Sequence, residues 1–587
     1  MLNKSSSGKY WVGRSYDEGF IADLSRHLKI SDFLARIIST RVGSLTEAEH
    51  FLNPKIKSQL PDPFHLADMA KAVDRTIAAI TASEKICIFA DYDVDGATSS
   101  ALLANIFRQL NVHATIYVPD RITEGYGPTS YGIEQIYQKG NSLLITVDCG
   151  SVAFDALEHA ANLGMDVIVI DHHISLEQLP KSIAVINPNR LDETSQYKHL
   201  AAVGVSFLFA AALLSRLKEI GYFEEKNITK PNLIEQLDIV ALGTVCDVMQ
   251  LTGLNRAFVA QGLKVARSRG NLGYKTLCDT ANLQEAINCY HLGFILGPRI
   301  NAGGRVGKSS LGARLLSTND AAEATSIALE LEKYNEERKV IEFTMLAEAC
   351  EMAKEQLNDS MLFIIGQGWH AGVIGIVAGR LKEQYNKPVA VIALNDGVGK
   401  ASCRSIKNID FGAKVIEAKQ RELLVAGGGH AMAAGFTVKE EKLADLKQFL
   451  NDQFQNDLAG SDAHLHEHYD IDLTSSAATL ELMAEIAMLE PFGIGNPSPI
   501  FKFSNVYVLK ADIVGSGHIK VMFVPSRGAY GSKPLAAIAF NAVGSDLAKI
   551  LLSKKPHNLS VFGTLKINSW QDKESVQLQL RDALIEV

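Results

Sequence analysis

Apolar positions along the chain change rhythm several times, and each rhythm predicts a different kind of element. Between about residues 85 and 190 they come as short unbroken runs: Ile86-Cys87-Ile88-Phe89-Ala90, Leu143-Leu144-Ile145-Thr146-Val147 and Val167-Ile168-Val169-Ile170. Runs without apolar–polar alternation suit strands buried on both faces, and helical patterns over Gly96 to Gln109 and Phe154 to Leu163 separate them. That is the signature of βαβ units and a parallel sheet. Residues 200 to 265 turn mainly helical, and Leu242-Gly243-Thr244-Val245-Cys246-Asp247 reads as an interruption. From about 318 to 358 the chain is charged, Ala-rich and nearly free of Gly and Pro, which predicts one long connecting helix. The α/β alternation returns with strands at Met361 to Ile365 and Pro388 to Leu394 around a helix from Gly372 to Tyr385. Asn451 to Asp470 is polar and reads as a linker. Beyond about Ile500 the period becomes two, as in Val576-Gln577-Leu578-Gln579-Leu580, which predicts a small antiparallel barrel of OB type. Residues 1 to about 80 are polar and mixed, with helical periodicity and turn signals at Asn53-Pro54 and Pro61-Asp62-Pro63.

A length of 587 residues implies three or four units at ~150 residues each. With 47% hydrophobic and 21% charged residues, the composition is that of a globular enzyme. The first residues carry no apolar stretch suited to a signal peptide, and the longest apolar run, Leu200 to Leu214, is shorter than the ~20 residues of a membrane span. The seven cysteines are scattered with no C-x-x-C pair, the pattern of packed thiols in a reduced compartment; a cytoplasmic protein without a membrane partner is expected. A net charge of −8 argues against nucleic-acid binding over the whole surface. Two loops depart from that average: Gly297 to Leu315 holds Arg299, Arg305, Lys308 and Arg314, and Gly397 to Ile409 holds Lys400, Arg404 and Lys407, each without an acid. Such loops suit anions.

The chemistry lies where the apolar runs end. Asp91-Tyr92-Asp93-Val94-Asp95-Gly96 follows the first, Asp148-Cys149-Gly150 the second and Asp171-His172-His173 the third. In open α/β sheets ligands bind at the carboxyl ends of the strands. Carboxylates and imidazoles are costly to bury there unless they share a cation. One such motif alone is ordinarily a turn or a cap; three in one domain, each behind its own strand, point to a divalent-metal centre. Carboxylate oxygens suit Mg²⁺ or Mn²⁺, an added imidazole favours Mn²⁺, and the set is rich enough for two ions acting on a phosphate.

Together with Gly243-Thr244-Val245-Cys246-Asp247, these segments resemble in order the four motifs of the DHH phosphoesterase superfamily. Downstream, Gly297-Pro298-Arg299-Ile300-Asn301-Ala302-Gly303-Gly304-Arg305, Gly368-Trp369-His370-Ala371-Gly372, Gly427-Gly428-Gly429-His430 and Pro491-Phe492-Gly493-Ile494-Gly495-Asn496-Pro497 narrow the resemblance to its RecJ family of bacterial single-strand-specific exonucleases. The resemblance implies an α/β fold class: a DHH domain over 51–317, a connecting helix over 318–358, a DHHA1 domain over 359–455, and a linker with an OB-fold over 456–587, behind an N-terminal segment 1–50. By the same resemblance the metal ligands fall on Asp93, Asp95, Asp148, His172 and Asp247, and Asp91, Asp171 and His173 serve catalysis around them. His173 would stand by the scissile phosphate and Asp171 would orient an imidazole. Arg121, Arg305, Ser402, Arg404 and His430 would grip the 5′-phosphate end of the strand. Guanidinium forks suit that task whatever the family. Cys246 and Cys403 stand where the family has small residues, and read as packed fillers.

The implied activity is 5′→3′ hydrolysis of single-stranded DNA to 5′-mononucleotides with two divalent cations, Mn²⁺ or Mg²⁺, in recombination and repair. Single-strand-binding protein and a RecQ-type helicase are the implied partners. Two rivals stay open at this point: a DHH phosphodiesterase of short oligonucleotides or cyclic dinucleotides, and a non-catalytic DNA-binding scaffold. Three weaker signals are set aside. Gly303 to Ser309 ends like a phosphate-binding loop but has no strand leading into it; His464, His466 and His468 read as solvated linker residues; Trp570 sits at an expected hairpin tip, where it either stacks on a base or is simply exposed.

Overall fold

The computed structural model describes residues 4–121, 123–459, 465–525, 534–555, 557–570 and 573–586. The chain divides into two compact units, one of residues 54–460 and one of residues 1–53 with 461–587.

The larger unit carries two sheets. The first holds β1 (Ile86–Ala90), β2 (Ala114–Tyr117), β3 (Leu143–Val147), β4 (Asp166–Ile170) and β5 (Ala184–Ile186), all parallel, in the order β2-β1-β3-β4-β5. β1 and β3 are buried at every residue, because helices cover both faces of the sheet. The chain leaves β1 to one side for β2 and returns on the other for β3, so the switch in winding direction falls between β1 and β3. That crevice is where a doubly wound sheet binds ligands.

Three helices pack behind the crevice. α1 (Val94–Gln109) is buried nearly all round and starts on the Asp93 cap; α2 (Ala202–Glu219) is the predicted buried apolar run. α3 (Leu237–Cys246) corrects the reading of Leu242 to Asp247 as an interruption: Gly243 lies inside this helix and Asp247 ends it. A Cβ on Gly243 would stand 2.3 Å from Thr98 Oγ1 and 2.8 Å from Val203 Cγ1. The glycine is there for close approach to α1 and α2, at a cost of ~1 kcal/mol in helix propensity. A wide π-turn, His291–Leu296, then leads into α4 (Gly297–Val306). The Gly303 to Ser309 stretch is thus largely helix, which upholds the rejection of a phosphate loop.

α5 (Ala321–Lys354) is the predicted long helix. It leads to a second sheet of β6 (Leu362–Gln367), β7 (Val389–Asn395), β8 (Val398–Arg404), β9 (Ala426–His430) and β10 (Ala433–Lys439), in the order β9-β10-β8-β7-β6. Only β6 and β7 run parallel. α6 (Ile374–Tyr385) packs on β7 and β8.

The smaller unit contains the expected barrel, but not an all-antiparallel one: Leu535–Ala539 and Lys573–Ile585 run parallel. Phe501–Val514, His518–Val524, Leu535–Ala539, Lys573–Ile585 and Leu559–Trp570 pair in sequence, and the first pairs again with the last to close the ring. Helices Glu18–Leu28 and Asp32–Ser39 bury Ile21, Leu24, Leu34 and Ile38 in the same core as Phe501, Val521 and Leu578. The strand Tyr10–Gly13 pairs in parallel with His466–Tyr469.

The linker reading of Asn451 to Asp470 is corrected. A helix runs from Leu443 to Ala459, and a strand takes up His466–Tyr469. Leu443, Leu446, Leu450 and Phe454 form a buried stripe at helical spacing that the polar remainder masks. His466 and His468 are strand residues, not solvated linker; His464 and the side chain of Trp570 lie outside the described residues. Among the described residues no helix is long and apolar enough to cross a membrane.

Candidate metal centre and phosphate-binding cavity

Every motif picked out at a strand end converges on the β1–β3 crevice. Asp91 leaves β1, and Asp93 accepts from the Asp95 and Gly96 N–H groups at 2.8 and 3.2 Å, capping α1. Asp95, one residue into the helix, reaches back to accept from the N–H groups of Ala202 and Val203 at 2.7 and 2.9 Å. It thereby satisfies the orphan donors at the start of α2, and each of its oxygens keeps a second lone pair. Asp148 ends β3 at φ +62°, a left-handed conformation that Asp tolerates better than most residues. Asp171 accepts from the N–H groups of His172 and His173 and from His173 Nδ1 at 2.8 Å, while its other oxygen takes the Ser151 N–H.

His172 Nε2 sits at the centre, 3.3 Å from Asp148 Oδ1, 3.5 Å from Asp247 Oδ2 and 3.8 Å from Asp95 Oδ2. Three groups bring donor atoms within 4.8 Å of one another: Asp148, His172 and His173; Asp95, His172 and Asp247; Asp91, Asp93 and Asp148. Burial, reinforced by the neighbouring carboxylates, pushes Asp95 up to about 7 and Asp247 up to about 9, and raises Asp91 and Asp148 well above the usual range. Burial also brings His172 down to about 4, so at neutral pH the imidazole is uncharged and its contacts with these aspartates are not ion pairs. Asp171 differs. Burial alone would raise it, but the His173 hydrogen bond and the charge of that imidazole hold it below the ordinary value.

The cluster fits divalent cations on its own evidence. Asp91 Oδ1, Asp148 Oδ1, His172 Nε2 and Asp247 Oδ2 are buried and accept or donate no hydrogen bond among the described residues. Three carboxylate oxygens and an imidazole nitrogen left without partners are a costly arrangement unless a cation shares them. Chelated protein should therefore gain stability on titration with Mn²⁺, by about 2.7 kcal/mol at a hundredfold excess over Kd. A melting temperature unmoved by saturating Mn²⁺ would exclude a cation site here.

Beside the cluster opens a cavity of about 330 Å³, lined among others by Asp91, Asp93, His173, Arg121 and Arg305. Carboxylates and guanidinium groups thus line one cavity. Arg121 lies 4.9 Å over the Tyr92 ring. Arg305 donates to the Gly372 carbonyl at 3.0 Å, joining α4 to the second lobe, and burial with the charges of Arg121 and Arg338 brings it down to about 10. Ser402 and Arg404 are on β8 and bond each other at 3.3 Å; a Cβ on Gly375 of α6 would lie 3.0 Å from Ser402 Oγ. Neither lines the cavity, and nor does His430, which is exposed two strands away in the register row of Arg404 and Ala433.

Several residues here were given no role from sequence. Tyr126 donates to the Asp148 carbonyl at 3.2 Å and stands edge-on to His173 with ring centroids 5.9 Å apart. Asn189 Nδ2 donates to the His172 carbonyl and Asn187 Nδ2 to that of His173, which pins the two-histidine turn. Asn301, Gly304 and Cys246 also line the cavity; the Cys246 thiol is pushed above its usual value by burial and donates to the Leu292 carbonyl. The one sequence signal for the asparagines was Asn-Pro-Asn directly after a buried strand.

The chain matches known proteins along most of its length. Residues 85–244 match the DHH family N-terminal domain, 358–456 the DHHA1 domain and 469–582 the RecJ OB domain. The single-stranded-DNA-specific exonuclease RecJ of Bacillus subtilis is 33% identical over 98% of this chain and 71% of its own length. That of Escherichia coli is 36% identical over 90% of this chain and 91% of its own. The crystal structure of RecJ in complex with Mn²⁺ from Thermus thermophilus superposes with a TM-score of 0.81 at 25% identity, covering 98% of this chain and 80% of that one.

Proposed function

For a chain that belongs to the RecJ family of single-stranded-DNA-specific exonucleases, we propose 5′→3′ hydrolysis of single strands to 5′-mononucleotides at the cluster between β1 and β3. The enzyme is a single-stranded-DNA-specific exonuclease. The observation that supports the site and its polarity is one cavity lined by Asp91, Asp93 and His173 of the metal cluster together with Arg121 and Arg305. The reading of short-oligonucleotide or cyclic-dinucleotide hydrolysis is not favoured, since the matched relatives bear the single-strand exonuclease name and the barrel matches the RecJ OB domain.

Asp93, Asp95, Asp148, His172 and Asp247 would hold two divalent cations, Mn²⁺ or Mg²⁺, the metals named for the Thermus thermophilus RecJ structures. Bound there, they would polarise the phosphate and supply an activated water. The chain's own residues do the rest. Arg121 and Arg305 take a terminal phosphate through charge-assisted forks, and Arg404 and Ser402 extend the basic surface from the second lobe. His173, held between Asp171 and Tyr126, presents an N–H to the reacting phosphate from a fixed direction. Asp171 is a positioning residue for that imidazole, and Asp91 is a further donor at the cavity floor. His430 belongs to the strand path rather than the cavity. Work in recombination and repair, a cytoplasmic setting, and supply of substrate by single-strand-binding protein and a RecQ-type helicase complete the reading.

Oligonucleotides labelled at either end test it. With Mn²⁺, a 5′ label should appear at once as mononucleotide and a 3′ label as a shortening ladder, with duplex and chelated reactions inert. A ladder from the 5′ label would reverse the polarity, and digestion of blunt duplex would remove the strand specificity.

A further inference from the structure

Three neighbouring strand ends feed one buried hydrogen-bonded chain behind His173. Ser151 follows the turn after β3, Asp171 to His173 leave β4, and Asn187 leaves β5. Pairing continues past the end of β4: the Asp171 N–H donates to the Ile186 carbonyl at 3.1 Å, which brings Asn187 alongside Asp171. Ser151 and Asn187 are fully buried, and Asp171 is 1% exposed.

The chain leaves the Asn187 amide no freedom. Nδ2 donates to Ser151 Oγ and to the His173 carbonyl, both at 2.8 Å, and Oδ1 accepts from the Asn189 N–H at 2.7 Å. Both amide hydrogens are thus spent, and a flip would set Oδ1 against the His173 carbonyl oxygen. On the far side, the Ser151 N–H donates to Asp171 Oδ2 at 3.0 Å, while Asp171 Oδ1 accepts from His173 Nδ1 at 2.8 Å. The links close a ring: Asn187 to Ser151, Ser151 to Asp171, Asp171 to the imidazole, and the His173 carbonyl back to Asn187. His173 is gripped at its N–H, its carbonyl and its Nδ1, which leaves Nε2 to the Tyr126 hydroxyl at 3.4 Å and to the cavity that His173 lines. Packing does not hold the turn from the other side, because Ile174 is 61% and Leu176 56% exposed directly after it.

We infer that Asn187 and Ser151 are positioning residues for His173, setting the angle at which its imidazole meets the reacting phosphate. This rests on the role proposed for His173 above. Neither residue is among the described residues lining the cavity, so both act through the ring of hydrogen bonds and not on the substrate. The ring is buried, so a link removed from it leaves its partner unsatisfied, and the two-histidine turn is the part with room to shift.

A double-mutant cycle in the full chain tests this, with 5′-phosphorylated oligothymidylate and Mn²⁺. Asn187→Asp keeps the size of the side chain but has at most one hydrogen to donate where the amide has two. Ser151→Ala removes the hydroxyl and keeps the N–H that Asp171 accepts. Asn187→Asp should lower kcat about 10–100-fold, the loss typical of groups that orient a site's imidazoles. Ser151→Ala should lower it about fivefold, the worth of one neutral hydrogen bond. KM and the Mn²⁺ concentration giving half the maximal rate should not move. Placed in the His173→Ala protein, either substitution should change kcat by no more than about twofold, because the group it orients is gone. A second loss of full size in that background overturns the inference, and so does wild-type kcat in both single variants. A rise in KM or in the Mn²⁺ requirement that matches the fall in kcat overturns it as well. Should melting in chelator show Asn187→Asp unfolded, Ser151→Ala carries the same cycle. A His173→Ala protein as fast as wild type would instead sink the underlying role of His173.

Discussion

Asp148→Asn should lower single-strand hydrolysis by about a thousandfold or more while making the chelated protein more stable. A thousandfold is about 4 kcal/mol of transition-state stabilisation, within the several kcal/mol that a bound cation supplies to a transferring phosphoryl group. Stability should rise because the Asp148 carboxyl is buried among Asp91, Asp95 and Asp247, and burial with those charges raises it well above its ordinary value. Removing one acid from that cluster relieves repulsion without opening a cavity, since the amide fills the same space. Asparagine is also, after glycine, among the residues that φ +62° accepts most readily. Asp148→Ala should lose as much activity but gain less stability, because alanine in the left-handed region carries ~1–2 kcal/mol of strain. Mononucleotide release with Mn²⁺ and thermal melting in chelator check the two halves separately. Activity within tenfold of wild type would remove Asp148 from the metal centre.

That opposition of function and stability marks the part of the fold that was legible in advance. Ile86–Ala90 and Leu143–Val147 were read as strands residue for residue, because a parallel strand covered on both faces has no polar position to blur its ends. The acidic residues behind them stood out because they are what such strands do not tolerate. Which strands are neighbours is a different matter. The placement of β2 outside β1, which puts Asp91 and Asp148 on either side of one crevice, is a property of the sheet and leaves no local trace.

The readings that needed correction share a cause. Gly243 looks like a breaker until the side chains of Thr98 and Val203 are found where its Cβ would be. The stretch after Asn451 looks like a linker because only one narrow stripe of the Leu443–Ala459 helix is apolar. Tyr126, Asn187 and Asn189 serve carbonyls of Asp148, His173 and His172, contacts that exist only after the loops have met. Likewise Trp11 stacks on Phe562 at 4.5 Å and donates to Asp582 at 2.8 Å, a pairing across nearly the whole sequence that no window along it can reveal.

Gly96→Ala should abolish activity by the opposite route, losing stability along with function. Gly96 lies in the first turn of α1, where alanine would ordinarily be favoured by about 1 kcal/mol. The difficulty is steric. An added Cβ would stand 2.3 Å from the Asp91 carbonyl oxygen and 2.8 Å from both the carbonyl carbon and the amide nitrogen of Asp91. These are backbone atoms at the end of a fully buried strand, so no rotamer change relieves the clash; the acidic loop or the helix has to move. Overpacking of this kind costs about 1–3 kcal/mol. A displacement of 1 Å among reacting groups costs about a hundredfold in rate, and here the moving segment carries Asp91, Asp93 and Asp95 together. The variant should therefore fall at least about a hundredfold in rate, melt below wild type in chelator and gain less from added Mn²⁺. Asp148→Asn has the reverse signature in melting, so the pair separates loss of a charge from loss of the frame that holds it. Wild-type melting and wild-type Mn²⁺ response in Gly96→Ala would show that the loop has slack the packing denies, and that the close approach of Asp91 to the helix start is not what sets the geometry of the centre.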